Sequence, residues 1–489
     1  SVLSVYVLLP FVTKARIEKS VTAAVNVLQQ MFTLFVGVYG LVVVVLFFAM
    51  PQIVSVLFPG FADEAPLLTL LIRILLLQPF LLGLSSLFGV VTQISQRFVL
   101  YAISPLIYNV GIIVGIIFLY PWLGLGGLVI GVVLGAAGHF LIQLPLVRTS
   151  ELSFGFSRGF EWPLLRSILL FAFPRALTLG IHQIVLLLLV GMATLMAAGS
   201  VSVFQFAFNL QSVPLAIIGM SYSVAAFPVL ADLFAKQDRA AFCAHVLTAF
   251  RHIIFWSVPI IALVIVLRAQ IVRVVLGSGE FSWNDTRLTA AMLALFVISL
   301  VAQSMLLLLI RAFYAGGNTR VPLFAAFSGA GVVGVTTIGL LYLFSHSPTF
   351  LHFMITLFRL DGVAGVEVLV LAVAFVVGVF YEVCVLAYCA ARVFGLAWLT
   401  LTRQVAEAIA AAAVAAIASY ATLIFIVDGI NQETFIGIML QGVVAGLMGI
   451  GGAILTYYAV SSQELHEIYT SFRARLFKTD VIAPQRRDL

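Results

Sequence analysis

The chain has 489 residues, 63% of them hydrophobic and only 9% charged, with a formal net charge of +6 and a mean hydropathy of +1.20. A soluble protein of this length cannot hide so much apolar surface, so the composition excludes a soluble enzyme and selects an all-α, polytopic helical membrane protein. Apolar runs of about 20 residues are too long for barrel strands, and a basic balance is what cytoplasmic loops supply, not a sign of nucleic-acid binding.

In chain order, residues 1–13 read as the end of a span stopped by Lys14, Arg16 and Lys19. No charged segment precedes that run, so it is not a signal peptide. Whole spans are predicted at 24–57, 65–93, 98–121 and 123–147, and a polar segment from Arg148 to Glu161 interrupts the series. Six more follow at 163–197, 201–233, 243–276, 286–315, 321–344 and 363–391, then two extra ones at 402–427 and 434–460. The resulting organisation is an N-terminal lobe (1–147), a linker (148–162), a C-terminal lobe (163–392), two additional helices (402–460) and a tail (461–489). In the tail, Leu465, Ile468, Tyr469, Phe472 and Leu476 recur at helical spacing beside Arg473, Arg475 and Lys478. That pattern fits a surface helix on an anionic leaflet, or an ordinary amphipathic loop helix; Phe350 to Leu360 has the same character.

With alternating sides, one face collects Lys14, Arg16, Lys19, Arg97, Arg148, Arg158, Arg166, Lys236, Arg239, Arg320, Arg392, Arg403 and the tail bases. The other collects Asp63, Glu64, Glu280, Asp285, Asp361, Asp428 and Glu433. The positive-inside pattern then puts the basic face and the C-terminus in the cytoplasm. An internal repeat is also visible. Pro10 and Pro228 stand 218 residues apart, as do Gln52-Ile53-Val54 and Gln270-Ile271-Val272, and Phe32 and Phe250. The long spans have similar exits, Pro59-Gly60-Phe61 and Gly279-Glu280-Phe281. Many transporters are built from such repeats, with the substrate site between the copies. The second copy begins near Pro163, so the first is expected to begin about 55 residues before Ser1, making this an N-terminally truncated form of a parent with about 14 spans.

Trp162 to Lys236 carries a thin line of polar groups through apolar sequence. Arg175, Thr178 and His182 are spaced to share one helix face, and Gln205, Asn209 and Ser212 to share another. A charge inside a hydrocarbon-length segment is costly and marks a water-filled cavity or a partner, so these six are the candidate cavity-lining, substrate-binding residues. The competing reading is that amides such as Gln205 and Asn209 tie helices together, and that His182 packs by hydrogen bonding instead of sensing protons. Arg73 is placed to snorkel or to pair with Asp63 or Glu64, and Arg251 and Arg311 to snorkel at the cytoplasmic end. Glu382 is the deepest carboxylate, suited to ion coupling or to pairing with a neighbouring helix. Pro174 and Pro228 remove backbone hydrogen bonds and are expected to bend their helices. Cys243, Cys384 and Cys389 show neither metal-ligand spacing nor a disulfide framework, and no cluster suggests hydrolytic or redox chemistry. No metal, cofactor or catalytic role is expected.

Several turns carry a resemblance: Pro59-Gly60-Phe61-Ala62-Asp63, Gln96-Arg97-Phe98 with Pro105 and Asn109, Gln143-Leu144-Pro145, Pro174 with Gln183-Ile184, Pro214 through Pro228, and Arg311-Ala312-Phe313-Tyr314-Ala315 through Pro322. Together they resemble the MurJ/MviN family of lipid II flippases, within the multidrug/oligosaccharidyl-lipid/polysaccharide exporter superfamily. The resemblance implies two pseudo-symmetric six-helix lobes that rock around a central cavity, with the last two helices forming a groove for a lipid tail. It implies a multi-pass flippase of the bacterial cytoplasmic membrane, moving a lipid-linked peptidoglycan precursor, with membrane lipids and cell-wall synthesis proteins as partners. One departure concerns the site. Where the family carries an arginine on its eighth helix this chain has Asn209, and the neighbouring acidic positions are Phe208 and Ser212. The alternatives are an ion-coupled exporter of drugs or lipid-linked polysaccharide precursors, and a non-transporting degenerate homologue.

Overall fold

The structure, a computed structural model, describes residues 5–18, 20–95, 97–152, 154–157, 159–277, 281–425 and 434–476. Among the described residues all regular structure is helical. Eleven segments are long and apolar enough to cross a membrane, and a twelfth, Trp283–Ala315, passes the same test as one span bent by 43°. These twelve correspond one for one to the predicted spans, and the expected stub is the helix Val5–Glu18. The chain forms two compact units, Ser1–Leu195 and Met196–Leu489.

The first unit contains α1 (Val5–Glu18), α2 (Val21–Leu57), α3 (Ala65–Leu75), α4 (Leu77–Ile94), α5 (Phe98–Val114), α6 (Tyr120–Leu123), α7 (Leu125–Leu141), α8 (Leu144–Thr149) and α9 (Trp162–Ala193). The α3–α4 span breaks at Leu76, three residues before Pro79, whose ring crowds the carbonyl four residues back and removes its hydrogen bond. Apolar residues of α1, α2 and α4, among them Leu8, Leu28, Met31, Leu87 and Val91, make the core. Beside it Gln143 Nε2 donates to Ser85 Oγ (2.6 Å), Thr92 Oγ1 donates to Gln143 Oε1 (3.2 Å), and Ser85 Oγ lies 2.6 Å from His139 Nδ1. This buried network joins α4 to the end of α7, the arrangement that polar groups need where no water is available.

Glycine brings α5 and α7 together. Gly111 and a π-helical turn starting at Gly115 face Gly127, Gly131 and Gly135 at four-residue spacing. A Cβ on Gly111 would fall 2.2 Å from the Gly135 Cα, and one on Gly115 would fall 2.7 Å from the Gly131 Cα. In lipid, where apolar burial does not drive helices together, such small-residue seams let backbones touch and gain dispersion contact.

Helix α9 packs within this first unit. A Cβ on Gly191 would meet the Leu57 carbonyl oxygen at 2.2 Å, and Gly60 N donates to Thr194 Oγ1 (3.2 Å). The packing boundary therefore falls after α9, whereas the repeat divides the chain in the 148–162 segment before it. A repeat records where copies begin, and packing records what each helix touches.

The second unit contains α10 (Ser200–Leu215), α11 (Ser221–Ala235), α12 (Arg239–Leu276), α13 (Trp283–Ile298), α14 (Leu300–Ala315), α15 (Arg320–His346), α16 (Pro348–Phe358), α17 (Leu369–Phe394), α18 (Thr402–Phe425), α19 (Phe435–Ala459) and α20 (Gln463–Leu476). The repeat is visible in its capping. Ser20 caps α2 by accepting from Ala23 N, and 218 residues later Asp238 caps α12 by accepting from Ala241 N. Each side chain satisfies a donor that the first helical turn leaves open.

The bend between α13 and α14 sits at Ser299. Its hydroxyl donates to the Phe296 carbonyl (2.7 Å), drawing a backbone acceptor out of the regular pattern. The two extra helices, α18 and α19, pack on each other and on α12. The 350–360 stretch is the short helix α16, 11 residues long.

The tail helix α20 is docked by its first turns. Leu465 and Ile468 pack against the apolar cluster that includes Phe255, Leu263 and Tyr457, whereas Tyr469 is exposed, so part of the described apolar face of α20 is turned onto protein. Charge fixes it there. His252 Nε2 lies 3.0 Å from Glu467 Oε2, Arg251 Nη1 donates to Gln463 Oε1 (3.0 Å), and Glu464 is 3% exposed, 3.9 Å from Arg251 Nε. Arg251, expected to snorkel, is instead part of this clamp.

Candidate functional site

Helix α10 is amphipathic in an unusual sense. One face, Val203, Phe204, Ala207 and Gln211, is buried in the second unit. The other leaves Gln205 and Asn209 exposed, with Ser212 half-exposed and its hydroxyl donating to the Asn209 carbonyl (2.6 Å). The three predicted residues thus share one uncovered face. An exposed amide facing hydrocarbon loses its hydrogen bonds to water, so a stripe of them in a spanning helix belongs beside water or a polar ligand.

The buried face shows what the amides are not doing. Gln211 is the amide that ties helices together: Gln303 Nε2 donates to its Oε1 (3.1 Å) and to Ser299 Oγ (2.8 Å). Phe208, at the position where the resembled family carries an acid, closes an aromatic cluster. Its ring centroid lies 5.5 Å from Phe296 and 5.6 Å from Phe375, both edge-on. Such edge-on pairs add to plain area burial, and the rings offer no partner that would satisfy a carboxylate.

Below Ser212 the helix does not continue regularly. Pro214 lacks a backbone donor, and Ala216–Met220 forms a π-helical turn before α11 resumes at Ser221. The irregularity thus follows Pro214, whereas Pro228 lies inside α11 without ending it. At this turn Gly219 approaches Ser304 so closely that a Cβ would fall 2.7 Å from its hydroxyl. There Arg311 Nη2 reaches the Met220 sulfur at 3.3 Å. Met220 is itself exposed, so Arg311 brings a guanidinium to the uncovered surface at the π-helical turn. The sequence reading treated Arg311 as a snorkelling base; the proline-induced turn that presents it was the missed signal.

On α9, in the first unit, Thr178 is fully buried and His182 is half-buried, with Nδ1 2.8 Å from the Thr178 carbonyl oxygen. That contact is the packing bond that the sequence reading weighed for His182. Arg175 stands in the middle of α9, and its side chain lies outside the described residues, as does that of Pro174. Gly279, Glu280, Asp428, Glu433 and Lys478, and the side chains of Arg473 and Arg475, also lie outside them. Arg73 does not pair with Asp63 or Glu64; its Nε donates to the Phe47 carbonyl (2.8 Å) and the guanidinium lies 4.6 Å from the Phe47 ring centroid. A cation–π contact and a carbonyl satisfy a guanidinium at an interface as well as a mobile loop carboxylate would. Glu382 is 4% exposed on α17 and faces α15, where a Cβ on Gly329 would stand 3.3 Å from Oε2.

The spans, the repeated capping and the uncovered polar face define a multi-pass helical membrane protein with a transporter-type architecture. A solved structure described as lipid II flippase MurJ in an inward closed conformation superposes with a TM-score of 0.68, at 20% identity, covering 93% of this chain and 88% of that one. An inward-facing multidrug resistance MATE family transporter gives 0.65 at 15% identity, covering 81% and 87%. At these identities the likeness establishes the fold.

The chain belongs to the lipid II flippase MurJ family, whose sequence model matches residues 5–445. Among curated relatives, a probable lipid II flippase MurJ of Rhizobium tropici is 27% identical over 310 residues, 60% of this chain and 57% of that protein. Its counterpart in Rickettsia prowazekii is 25% identical over 306 residues, 62% and 60% respectively. The chain thus spans less than two thirds of the length of these curated relatives.

Proposed function

We propose that the chain moves a lipid-linked cell-wall precursor across the bacterial cytoplasmic membrane by alternating access, with lipid II as the cargo its relatives' names indicate. The observation that carries this reading is the uncovered Gln205–Asn209–Ser212 face of α10, in a chain whose family is that of lipid II flippases. A headgroup of pyrophosphate, sugar and peptide is rich in acceptors and donors, which amides and hydroxyls match by hydrogen bonds. The lipid tail stays in the bilayer while the headgroup crosses. On α9, Arg175 and the half-buried His182 remain candidates for contact with the cargo, whereas Thr178 is fully buried and serves packing. In the second unit Arg311 is the candidate for the pyrophosphate, since a guanidinium fork suits phosphate oxygens, and Asn209 offers a neutral donor where relatives of the resembled type carry charge; Arg175 is the candidate cation of the first unit. Glu382 is the candidate for ion coupling, and the C-terminus lies in the cytoplasm, as the basic loops favour.

The test is genetic. Cells depleted of their own lipid II flippase should be rescued by this protein, and Arg175→Ala and Arg311→Gln should each weaken rescue at equal membrane abundance. Failure of the wild type to rescue, with normal membrane insertion, would overturn the reading; rescue untouched by either substitution would remove that arginine from the site.

A further inference from the structure

At the end of the second unit opposite the α20 clamp lies a pocket of about 330 Å³ lined by Ala269, Gln270, Arg273, Trp283, Ile438 and Gln441. It is built by three helices: the last turns of α12, the first residue of α13 and the first turns of α19. Gln441 is 6% exposed and Ile438 8% exposed, so the α19 wall is firm. The Arg273 guanidinium stands 5.3 Å from the Trp283 ring centroid. Among the described residues no carboxylate lies within ion-pair distance of Arg273. Its neighbour Arg268, on another side of α12, instead turns back to donate to the Ile265 carbonyl (2.6 Å).

We infer that this pocket binds the phosphate of a membrane phospholipid. Three observations meet there. The cation is half-buried, held by an aromatic face and flanked by the Gln270 carboxamide, a donor set that suits a phosphate ester. The pocket stands where three apolar helices end or begin together, with a tryptophan of the kind that marks the membrane interface. Beside it Phe435, the first residue of α19, and Trp283 are exposed and form a short apolar strip against which acyl chains can lie. The volume is at the small end of ligand pockets, enough for a phosphate and a small alcohol. Free phosphate shares the anionic chemistry but lacks the chains that the apolar strip would hold.

The test is native mass spectrometry of the delipidated full chain, titrated with dioleoylphosphatidylglycerol, with dioleoylglycerol (the same chains without phosphate), and with glycerol 3-phosphate (the phosphate without chains). The phospholipid should be retained about tenfold more tightly than dioleoylglycerol, the yield of one charge-assisted contact. Arg273→Gln should abolish that preference. Trp283→Leu, which leaves the Ser282–Asp285 capping box of α13 in place, should weaken it about threefold. Arg268→Gln, at the same end but outside the pocket, should leave it unchanged. Retention by Arg273→Gln equal to wild type would overturn the proposal. So would an equal loss with Arg268→Gln, which would mean a diffuse basic surface, and so would displacement of the lipid by equimolar glycerol 3-phosphate. Retention is read without transport, so the outcome is independent of the function proposed above.

Discussion

Replacing Gly131 by alanine would place a methyl group 2.4 Å from the Gly115 Cα and 2.9 Å from the Gly111 carbonyl oxygen and the Gly115 nitrogen. Ordinary contacts of this kind lie at 3.4–4 Å, so α5 and α7 must part by about 1 Å, and a gap of that size forfeits a quarter to a half of the local dispersion well. The atoms in the way are backbone, so no rotamer change relieves the clash. Alanine in mid-helix favours the helix by about 1 kcal/mol relative to glycine, while overpacking of this kind costs about 1–3 kcal/mol. Gly334→Ala in α15 carries the propensity gain alone, since nothing lies within 4 Å of its Cβ position. Gly131→Ala should therefore be about 1–3 kcal/mol less stable than Gly334→Ala, with propensity cancelling between them. Equilibrium unfolding of the full chain in mixed detergent and dodecyl sulfate micelles measures the difference. Equal stability of the two variants would refute the close-packed seam.

Two further outcomes follow from named contacts. Asn209→Arg, on the uncovered face of α10, should accumulate in the membrane like wild type, whereas Phe208→Asp buries a carboxylate among Phe296 and Phe375 and should cost at least about 3 kcal/mol; quantitative membrane immunoblots compare the two, and equal abundance would contradict the aromatic cluster. Glu464→Gln keeps the shape of a side chain that accepts from Ser462 Oγ (2.9 Å) but removes the charge facing Arg251. Hydrogen exchange should then rise selectively across 463–476, and unchanged protection would show that apolar packing alone holds α20.

Much of this was legible in the sequence because the bilayer imposes a length. Hydropathy runs located all twelve spans, and the 218-residue spacing reappears in the structure as Ser20 and Asp238 capping equivalent helices. Helix faces were harder. Spacing placed Gln205, Asn209 and Ser212 together, but it could not say that Gln211, one residue away, would be the buried tie; that depends on Gln303, 92 residues on. The glycine seam was readable at Gly111 and Gly115 against Gly127, Gly131 and Gly135, a four-residue spacing with a physical meaning in lipid. Arg311 escaped because its contact with Met220 is made between helices distant in sequence, at a π-helical turn that spacing does not show. The α20 clamp escaped for a similar reason. An amphipathic period shows that one face is apolar, and not whether protein or lipid covers it.

The most direct test of the central claim reconstitutes the protein in vesicles that carry a labelled lipid-linked pyrophosphate precursor and follows arrival of its headgroup at the opposite leaflet. The account predicts transport by the wild type, and its loss in a Gln205→Leu, Asn209→Leu double variant that remains folded because both positions are exposed. Transport by the double variant at the wild-type rate would contradict the assignment of the α10 face to the cargo path.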